Sequence, residues 1–584
     1  MFKHLSKWNF LVVALLSFSV LLAACGDTPT ATPAPGTTNA TGLSVATGAK
    51  TTLAGNFPDT TTFFLSLNTD TNSGQIKSWQ KIIEYLSQIP EVKLITQNMD
   101  LLALAKFGTY DGDIKPWIGE ELAIGLTDVN GVINLATGTG TATASEVPVL
   151  IAATVKDQAK ADAFIGKLST QLAGAGLPAP TKETYKEATL YTFNLGIASV
   201  VAGLSKDKLI IGGGPALVKA ALDQTAAKSL SSTIQFKNVV SKLPAANLAF
   251  TYIDYQTIIK SVTTNPQFKS AVDGLNATNL DYTANVGLAF STASEGFRVD
   301  SYQTFLPEKT PPAIADQLKK GANPNKALTA LPETTLAFMN SRDAKSVYDL
   351  FTNSLKSMGG TTGVEFDQSI SEFEKQSGLS VQNDIVSLFG GEYAVFVAPE
   401  VANKTVPVGF GLVTEATDKA ATQTKLDKIA TAIEQNAKGQ VKWSNKTVGS
   451  TTFRSAQIAD PSSNTTLSAN LGIAGNYAFF SLGDESTTGL VTAATGGKNF
   501  TNGTNAANFD KVKANLPTEN TGYFYLDIQA VVKLATPLIP AGKEADSFKA
   551  ISDKLTKLIS IGSATRQTNT ESLTTVFIYF PVTQ

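Results

Sequence analysis

Histidine and cysteine, the side chains that most often act as catalytic bases, nucleophiles and metal ligands, each occur once in this chain of 584 residues. They are His4 and Cys25, and both precede the bulk of the sequence. Ser-His-Asp and Cys-His nucleophile systems need a histidine beside the nucleophile. Zinc and copper sites usually need several histidines or cysteines. After residue 25 we therefore expect no such site, no disulfide and no cofactor.

Two short motifs resemble fragments of catalytic or phosphate-binding sites. Ser205-Lys206-Asp207-Lys208 fits Ser-x-x-Lys, but the Ser-Asp-Asn and Lys-Thr-Gly partners of penicillin-recognising enzymes are missing. Gly212-Gly213-Gly214 stands between a predicted strand and a predicted helix, where a phosphate could meet a helix N-terminus. No Lys-Ser/Thr follows these glycines, and two acids follow Gly483 at the matching turn later in the chain. We expect tight turns at all three places.

Carboxylates are the remaining candidates for chemistry, since glycosidases need only two of them and Ca²⁺ takes only oxygen ligands. No EF-hand spacing or Asp-rich loop is present. Because several acids recur in two halves of the chain, we expect them to cap helices or define turns. Trp117 and Tyr393 could stack on a sugar, but burial at strand ends explains them better. The acids near predicted strands are Asp59, Asp111, Asp113, Glu120, Glu121, Asp254, Glu392 and Asp527.

The charge pattern argues against nucleic acid as a partner. Formal net charge is −2 at pH 7, and charged residues make up 16% of the chain. Arginine occurs at only four positions, and the lysines are dispersed among acids. A nucleic-acid surface needs a basic stripe, usually with aromatic side chains interleaved. We expect no nucleic-acid binding.

The first 26 residues have the pattern of an export signal. Lys3 and Lys7 form a basic start, and a mainly apolar stretch runs from Trp8 to Leu22. This stretch is shorter than the roughly 20 apolar residues of a transmembrane helix. It ends in Leu22-Ala23-Ala24-Cys25-Gly26, which resembles the lipobox of bacterial lipoproteins. The resemblance implies that residues 1–24 are removed and that Cys25 becomes an acylated first residue, facing the extracytoplasmic side of the cell membrane.

Residues 25–53 have the composition of a tether. Thr, Ala, Pro and Gly dominate the segment, and only Asp27 and Lys50 are charged. Such a composition cannot bury enough apolar surface to form a core. We expect a spacer that holds a folded body away from the membrane.

The rest of the sequence indicates a tandem duplication. A proline followed six residues later by an aromatic residue occurs four times, starting at Pro58, Pro244, Pro332 and Pro517. Pro58 and Pro332 are 274 residues apart, and Pro244 and Pro517 are 273 apart. Such self-similarity at one offset is the signature of internal repeats. We predict two homologous domains over 54–308 and 328–584, joined by a linker over 309–327.

Apolar periodicity gives the same element order in both halves. Helical spacing runs over Ala159–Leu172 and Thr417–Ile433, and alternating strands precede each helix. A face of Ile76, Trp79 and Ile82 predicts an earlier helix, which Val347, Leu350, Phe351, Leu355 and Met358 would repeat. Runs of strands interrupted by helices favour an α+β fold with mainly antiparallel sheets and helices packed against them.

Three segments carry a resemblance to a known family. Phe57–Phe64, Trp117–Glu121 and the Ala159–Leu172 helix are similar to a family of exported bacterial proteins of unknown function. The resemblance implies a signal or membrane anchor and a duplicated α+β body. It supplies no activity and no catalytic residue.

These observations predict a non-enzymatic lipoprotein of the cell envelope. The leading hypothesis is a binding or scaffolding module with an unknown protein or small-molecule ligand. The alternative is a ligand carrier or solute-binding lipoprotein, which a large apolar cavity would favour. A carboxylate-dependent glycan hydrolase is the third hypothesis, and it would need two acids about 5–10 Å apart in a cleft.

Overall fold

A computed structural model describes most of the chain beyond the predicted tether. The described residues are 51–87, 109–132, 148–195, 199–264, 282–293, 295–319, 321–342, 361–402, 407–437, 441–460, 465–536 and 558–580, with single positions at 344, 348, 352, 549 and 552. They divide into two compact units, one ending at Leu306 and one beginning at Pro307. Strands and helices occur in both, so the predicted α+β class with mainly antiparallel sheets is confirmed.

Among its described residues, the N-terminal unit contains ten strands in one antiparallel sheet. Their order across the sheet is β4-β5-β6-β7-β3-β2-β1-β8-β9-β10. The strand β6 lies between β5 and β7 and pairs with both. The strands are β1 Phe63–Asn68, β2 Ile118–Leu126, β3 Val149–Val155, β4 Thr181–Tyr185, β5 Ala188–Asn194, β6 Ser199–Leu204, β7 Lys208–Gly213, β8 Ala249–Asp254, β9 Thr283–Ala293 and β10 Gly296–Phe305.

The part of the C-terminal unit that the structure describes contains ten strands in the same order. The sequence across its sheet is β14-β15-β16-β17-β13-β12-β11-β18-β19-β20, again antiparallel. The predicted duplication is a statement about ancestry, and it stays a prediction together with its domain boundaries. The strands are β11 Ala337–Arg342, β12 Glu392–Pro399, β13 Val408–Glu415, β14 Ser444–Val448, β15 Thr451–Asp460, β16 Thr465–Ala474, β17 Tyr477–Leu482, β18 Tyr523–Asp527, β19 Ser560–Gln567 and β20 Glu571–Tyr579.

Eleven helices are described, and their starts follow capping rules. Asp157 and Asp418 each accept a hydrogen bond from the third backbone N–H of the helix that follows, as N-cap residues do. Pro215 occupies the first turn of its helix, where its missing N–H costs nothing. The helices are α1 Gly74–Leu86, α2 Gln158–Gly174, α3 Pro215–Leu222, α4 Ile234–Lys242, α5 Tyr255–Thr264, α6 Pro312–Leu318, α7 Thr361–Ser377, α8 Lys419–Asn436, α9 Asp484–Ala494, α10 Ala506–Lys513 and α11 Ile528–Ala535.

Helix boundaries differ slightly from those that the sequence indicates. The predicted helices Ala159–Leu172 and Thr417–Ile433 correspond to α2 and α8, each shifted or extended by one to three residues because capping fixes the ends. Apolar spacing also predicts a helix over Ile258–Leu275; it corresponds to α5, and its part beyond Thr264 lies outside the described residues. The predicted helical face formed by Val347, Leu350, Phe351, Leu355 and Met358 also lies outside them.

Aromatic clusters fill one side of each sheet. In the N-terminal unit Phe236 of α4 packs edge-to-face on Phe64 and Phe250, with ring centroids 5.7 and 5.8 Å apart. In the C-terminal unit Phe509 of α10 packs in the same way on Phe338 and Tyr525. All of these rings are almost fully buried. The predicted Pro-aromatic segments therefore supply the aromatic residues at the centre of each core.

Glycines let the covering helices approach these sheets closely. A Cβ atom at Gly287 of β9 would lie 2.2 Å from Val239 Cγ1 of α4. A Cβ atom at Gly562 of β19 would lie 2.5 Å from Val512 Cγ1 of α10. Both glycines stand opposite a tyrosine of the neighbouring strand. Glycine is needed at both positions because any side chain would push the helix off the sheet.

Candidate functional site

The predicted carboxylates are distributed over turns and helix starts. Asp59 is exposed in a turn, and Glu120 is exposed on β2. Asp111 forms an exposed ion pair with Lys115, with an N–O distance of 2.8 Å. Asp254 accepts from the backbone N–H and hydroxyl of Thr257 at the start of α5. These contacts are local, as expected for turn and cap residues.

Each unit has one buried glutamate that binds backbone N–H groups near the start of that unit. Glu121 of β2 accepts from Ser66 Oγ at 2.8 Å and from the backbone N–H of Leu53 at 3.1 Å. Glu392 of β12 accepts from the backbone N–H groups of Lys326 and Ala327, both at 2.9 Å. Burial raises the pKa of the Glu392 carboxyl, and these N–H donors partly oppose that rise. Each glutamate thus caps a 3₁₀ helix, Thr52–Asn56 or Lys326–Ala330.

A third buried acid, Asp527, is also a cap. It accepts from the backbone N–H of Ala530 at 2.8 Å, at the start of α11, and from Asn508 Nδ2 at 2.9 Å. Trp117 and Tyr393 are buried, with 4% and 5% of their surfaces exposed, so neither presents a ring face for a sugar. Within the described residues no group of three acidic, histidine or cysteine side chains is placed to hold a metal ion.

The two sequence motifs form turns. Ser205 Oγ lies 3.2 Å from Asp207 Oδ1 and 3.1 Å from the carbonyl oxygen of Lys208, which closes a bend before β7. At the Gly483 turn Glu400 accepts from the backbone N–H groups of Asp484, Glu485 and Ser486 at 2.6 to 3.1 Å. At this turn the chain's own carboxylate therefore occupies the helix N-terminus. At the Gly212-Gly213-Gly214 motif the chain bends at Gly214, whose φ is +92°, directly from β7 into α3, as the tight-turn interpretation expects.

The predicted lipobox of Leu22, Ala23, Ala24 and Cys25 lies outside the described residues. So does the tether as far as Lys50. Among the described residues no helix is both long enough and apolar enough to cross a membrane.

An apolar cavity of about 220 Å³ lies in the C-terminal unit between α8 and the sheet. Leu426 and Ile429 of α8 form one wall, and Leu412, Leu471 and Ala478 of the strands form another. A short segment, Val381–Phe389, closes a further side. The complete lining is Ile385, Leu388, Phe389, Leu412, Thr414, Leu426, Ile429, Leu471, Ala478, Phe479 and Phe480.

The lining leaves no polar group that would compete for a ligand. Its one hydroxyl, Thr414 Oγ1, donates to the carbonyl oxygen of Leu388 at 3.1 Å. The neighbouring Trp443 ring packs against the same cluster, and its Nε1 donates to the carbonyl oxygen of Ala430 at 2.9 Å. A lining of this kind favours apolar ligands over polar ones, because a polar group placed there would lose its hydrogen bonds to water.

A π-helical turn at Val381–Ile385 supports the cavity. Asp384 Oδ2 accepts from the backbone N–H of Ser380 at 2.7 Å and pairs with Lys428 of α8 at 2.5 Å. The hydrogen bond from Lys428 and that from Ser380 lower the pKa of the Asp384 carboxyl. This pair ties the turn to the helix, so the wall formed by Ile385 and Leu388 is held in place.

The corresponding place in the N-terminal unit is filled. Strand register and the N-cap aspartates match α2 to α8, β3 to β13, β6 to β16 and β7 to β17. There Trp117 stacks on Phe164 of α2, with ring centroids 5.7 Å apart. Tyr191 and Phe193 of β5 are also buried in this cluster. The matching residues in the C-terminal unit are Leu388, Lys425, Arg454 and Ala456.

Comparison with known proteins places the chain in a family. A model of proteins of unknown function, DUF3352, matches residues 39–579. The chain belongs to the DUF3352 family. No curated protein matches it. Among solved structures, crystal form III of TP0453 matches with 10% identity, over 45% of this chain and 83% of that one, at a TM-score of 0.25. A likeness of that size carries no argument about fold or function.

For this DUF3352 member, sequence reasoning identified the acids as structural but missed the cavity. A usable signal was present: the two helices that the sequence predicts carry Phe164 and Lys425 at matching positions, counted from Asp157 and Asp418. Replacement of a core aromatic by a lysine indicates lost filling volume. The position of the void depends on how the strand residues pack beneath the helix, and only the structure gives that.

Proposed function

We propose that this DUF3352 protein is a lipid-anchored binding protein of the cell envelope whose C-terminal unit takes a small apolar ligand. The observation that carries the proposal is the cavity between α8 and the sheet. Its lining is apolar, and the hydroxyl of Thr414 already has a partner. Burial of an apolar ligand there would gain roughly 25 cal/mol per Å² removed from water.

The volume limits the ligand class. At about 220 Å³ the cavity is larger than the roughly 150 Å³ engineered cavity that binds benzene. It is smaller than the roughly 300–1,000 Å³ of pockets for drug-sized molecules. A single ring or a short alkyl chain fits this range, whereas both chains of a membrane lipid do not.

The energetics favour occupation. An unfilled apolar cavity leaves its lining without packing contacts, and on the side where Phe480 is 39% exposed it leaves apolar surface in water, so it costs stability. The N-terminal unit avoids this cost by filling the matching place with Trp117 and Phe164. A bound ligand would recover part of it, so an apolar molecule of the right size would stabilise the C-terminal unit.

Calorimetric titration with 1-octanol tests the site. The protein would be residues 25–584 with Cys25→Ser, which keeps both compact units and the whole family match. We expect saturable binding at one site. The control is Leu388→Trp with Lys425→Phe, which copies the filled N-terminal arrangement and should bind no octanol. Absence of binding by the parent chain, or equal binding by the filled variant, would overturn the proposal.

The anchor is tested separately in the full chain. The lipobox at Leu22 to Cys25 supports attachment through acyl chains on Cys25. We expect Cys25→Ser to move the folded body out of the membrane fraction, whereas the control Ser17→Ala leaves it there. Retention of the Cys25→Ser chain on washed membranes would contradict the lipid anchor and leave the cavity proposal intact.

The proposed role is non-enzymatic. The acids that a hydrolase would need are engaged elsewhere: Glu121, Glu392 and Asp527 each accept backbone N–H groups at helix starts. Their roles as caps support binding rather than catalysis.

A further inference from the structure

The rim of the cavity carries one lysine in an unusual setting. Lys425 of α8 is partly buried, and its Nζ donates to Ser387 Oγ at 2.8 Å. Ser387 precedes the lining residue Leu388, and Lys425 stands one helical turn before the lining residue Ile429. Lys425 and Ser387 are therefore neighbours of lining residues on two elements that form the cavity, and they lie outside the lining itself.

The other cations of this region have acidic partners. Lys428 pairs with Asp384 at 2.5 Å, and Arg454 pairs with Asp427 at 2.6 Å. The direct hydrogen-bond partner of the Lys425 ammonium is the neutral Ser387 hydroxyl. The Asp384 carboxylate, which forms its ion pair with Lys428, also interacts electrostatically with Lys425 and has its pKa lowered by that charge.

The matching positions of the N-terminal unit show that the fold does not require this lysine. Phe164 matches Lys425, and Pro116 matches Ser387. In that unit apolar residues stand at both positions, and Phe164 stacks on Trp117. The C-terminal unit therefore has both a void and a cation where the N-terminal unit has an aromatic stack.

We propose, on the basis of the binding function above, that the ligand is a monoanionic amphiphile with a short apolar chain. Its carboxylate or other singly charged head accepts a hydrogen bond from Lys425 Nζ at the rim. Its chain enters the cavity between Leu388, Leu426 and Ile429. A charge-assisted hydrogen bond of this kind gives a neutral cavity a preference for acids over alcohols.

The test compares octanoate with 1-octanol at neutral pH and low salt, because they share a chain and differ in charge. We expect octanoate to bind about tenfold more tightly than octanol, from a partly exposed hydrogen bond to a charged group. Raising the salt concentration should weaken octanoate alone. Lys425→Met should remove the preference, lowering octanoate binding to the level of octanol binding. Lys419→Met, on the exposed first turn of the same helix, is the matched control for net charge.

The outcomes separate the two proposals. If neither compound binds, the cavity is not a ligand site and the proposed function fails. If octanol binds and octanoate binds no more tightly, the proposed function stands and the acid preference is wrong. If Lys425→Met weakens both compounds equally, Lys425 only maintains the wall of the cavity, which also overturns the inference. If Lys419→Met lowers octanoate binding as much as Lys425→Met does, the effect is one of net charge, and the inference is overturned.

Discussion

The two units place the same elements together and fill the space between them differently. In the N-terminal unit α2 covers β3, β6 and β7 with Trp117 and Phe164 stacked beneath it. In the C-terminal unit α8 covers β13, β16 and β17, and a cavity of about 220 Å³ takes the place of that stack. The strand orders and the antiparallel registers are alike. The difference therefore lies in side chains.

The supporting frame is retained in both units. Each has a π-helical turn before the second strand, at Tyr110–Ile114 or Val381–Ile385. In each an aspartate of the turn pairs with a helix lysine: Asp113 with Lys167 at 2.6 Å, and Asp384 with Lys428 at 2.5 Å. The turn, the ion pair and the strand order are the same in both units, and the four side chains that fill the space between them differ. Such a change of side chains can convert a close-packed core into a binding site with little change in the backbone.

The largest expected effect comes from removing the Trp117 side chain, which fills the space beneath α2 in the N-terminal unit. Trp117 is 4% exposed, and its Nε1 donates to the carbonyl oxygen of Asp113 at 2.7 Å. Trp117→Ala should destabilise the N-terminal unit by about 3–5 kcal/mol. The matched change Leu388→Ala removes a half-buried side chain that already faces a void, and should cost about 1–2 kcal/mol.

Hydrogen exchange of the strand amides measures this pair of changes, because it reports on each unit separately where a single melting curve would not. The amides of β2, β3 and β7 report on Trp117→Ala, and those of β12, β13 and β17 on Leu388→Ala. Similar losses from both substitutions would show that the two layers are equally packed, which would break the comparison.

Filling the cavity should have an intermediate effect of opposite sign. Leu388→Trp with Lys425→Phe recreates the stacked pair and should stabilise the C-terminal unit by about 1–2 kcal/mol, as cavity-filling changes commonly do. The same exchange measurement in β13, β16 and β17 checks it. Phe alone at 425, without Trp at 388, is the control and should give less than half of the gain. A destabilised double variant would mean that the backbone around Val381–Phe389 cannot accept the larger rings.

The sequence predicted the strands and helices better than the side-chain packing between them. Prolines and aromatics at matched offsets identified the core strands, and Phe64, Phe250, Phe338 and Tyr523 are buried as that pattern requires. The α+β class followed from apolar periodicity, because that periodicity reflects which face of an element is buried. The acids are expected to cap helices or define turns; Asp254 and Asp527 do so at helix starts, whereas Glu120 is exposed on a strand.

The sequence did not predict how much space the side chains leave between the elements. The residues of β4 are nearly all polar, and those of β6 are nearly all apolar or small, so neither segment shows the alternation that predicts a strand. Strand β4 is exposed along most of its length. The π-helical turns have no strong residue signature. The cavity depends on residues from α8, β13, β16, β17 and the segment Val381–Phe389 meeting in space. A local pattern in one segment does not reveal how much space remains among five.

The smallest expected effect concerns the ion pair that both units share. Hydrogen bonds from Lys428 and Ser380 lower the pKa of Asp384, so this carboxylate stabilises the folded state above its ordinary pKa of 3.8. That contribution is lost as the pH falls through the lowered pKa. Because Lys428 is half exposed, Asp384→Asn should cost only about 0.5 kcal/mol at neutral pH.

The measurement is the difference in unfolding free energy between the parent chain and Asp384→Asn as a function of pH. This difference should shrink toward zero as the pH falls through the lowered pKa of Asp384, and taking the difference removes the opposite pH dependence of Glu392. The pKa of Asp113 is also lowered by its lysine, Lys167, so Asp113→Asn should show the same direction of pH dependence in the N-terminal unit. A pH-dependent loss in one unit only would show that the frames differ as well as the filling, since an ion pair common to both layers has to titrate in both.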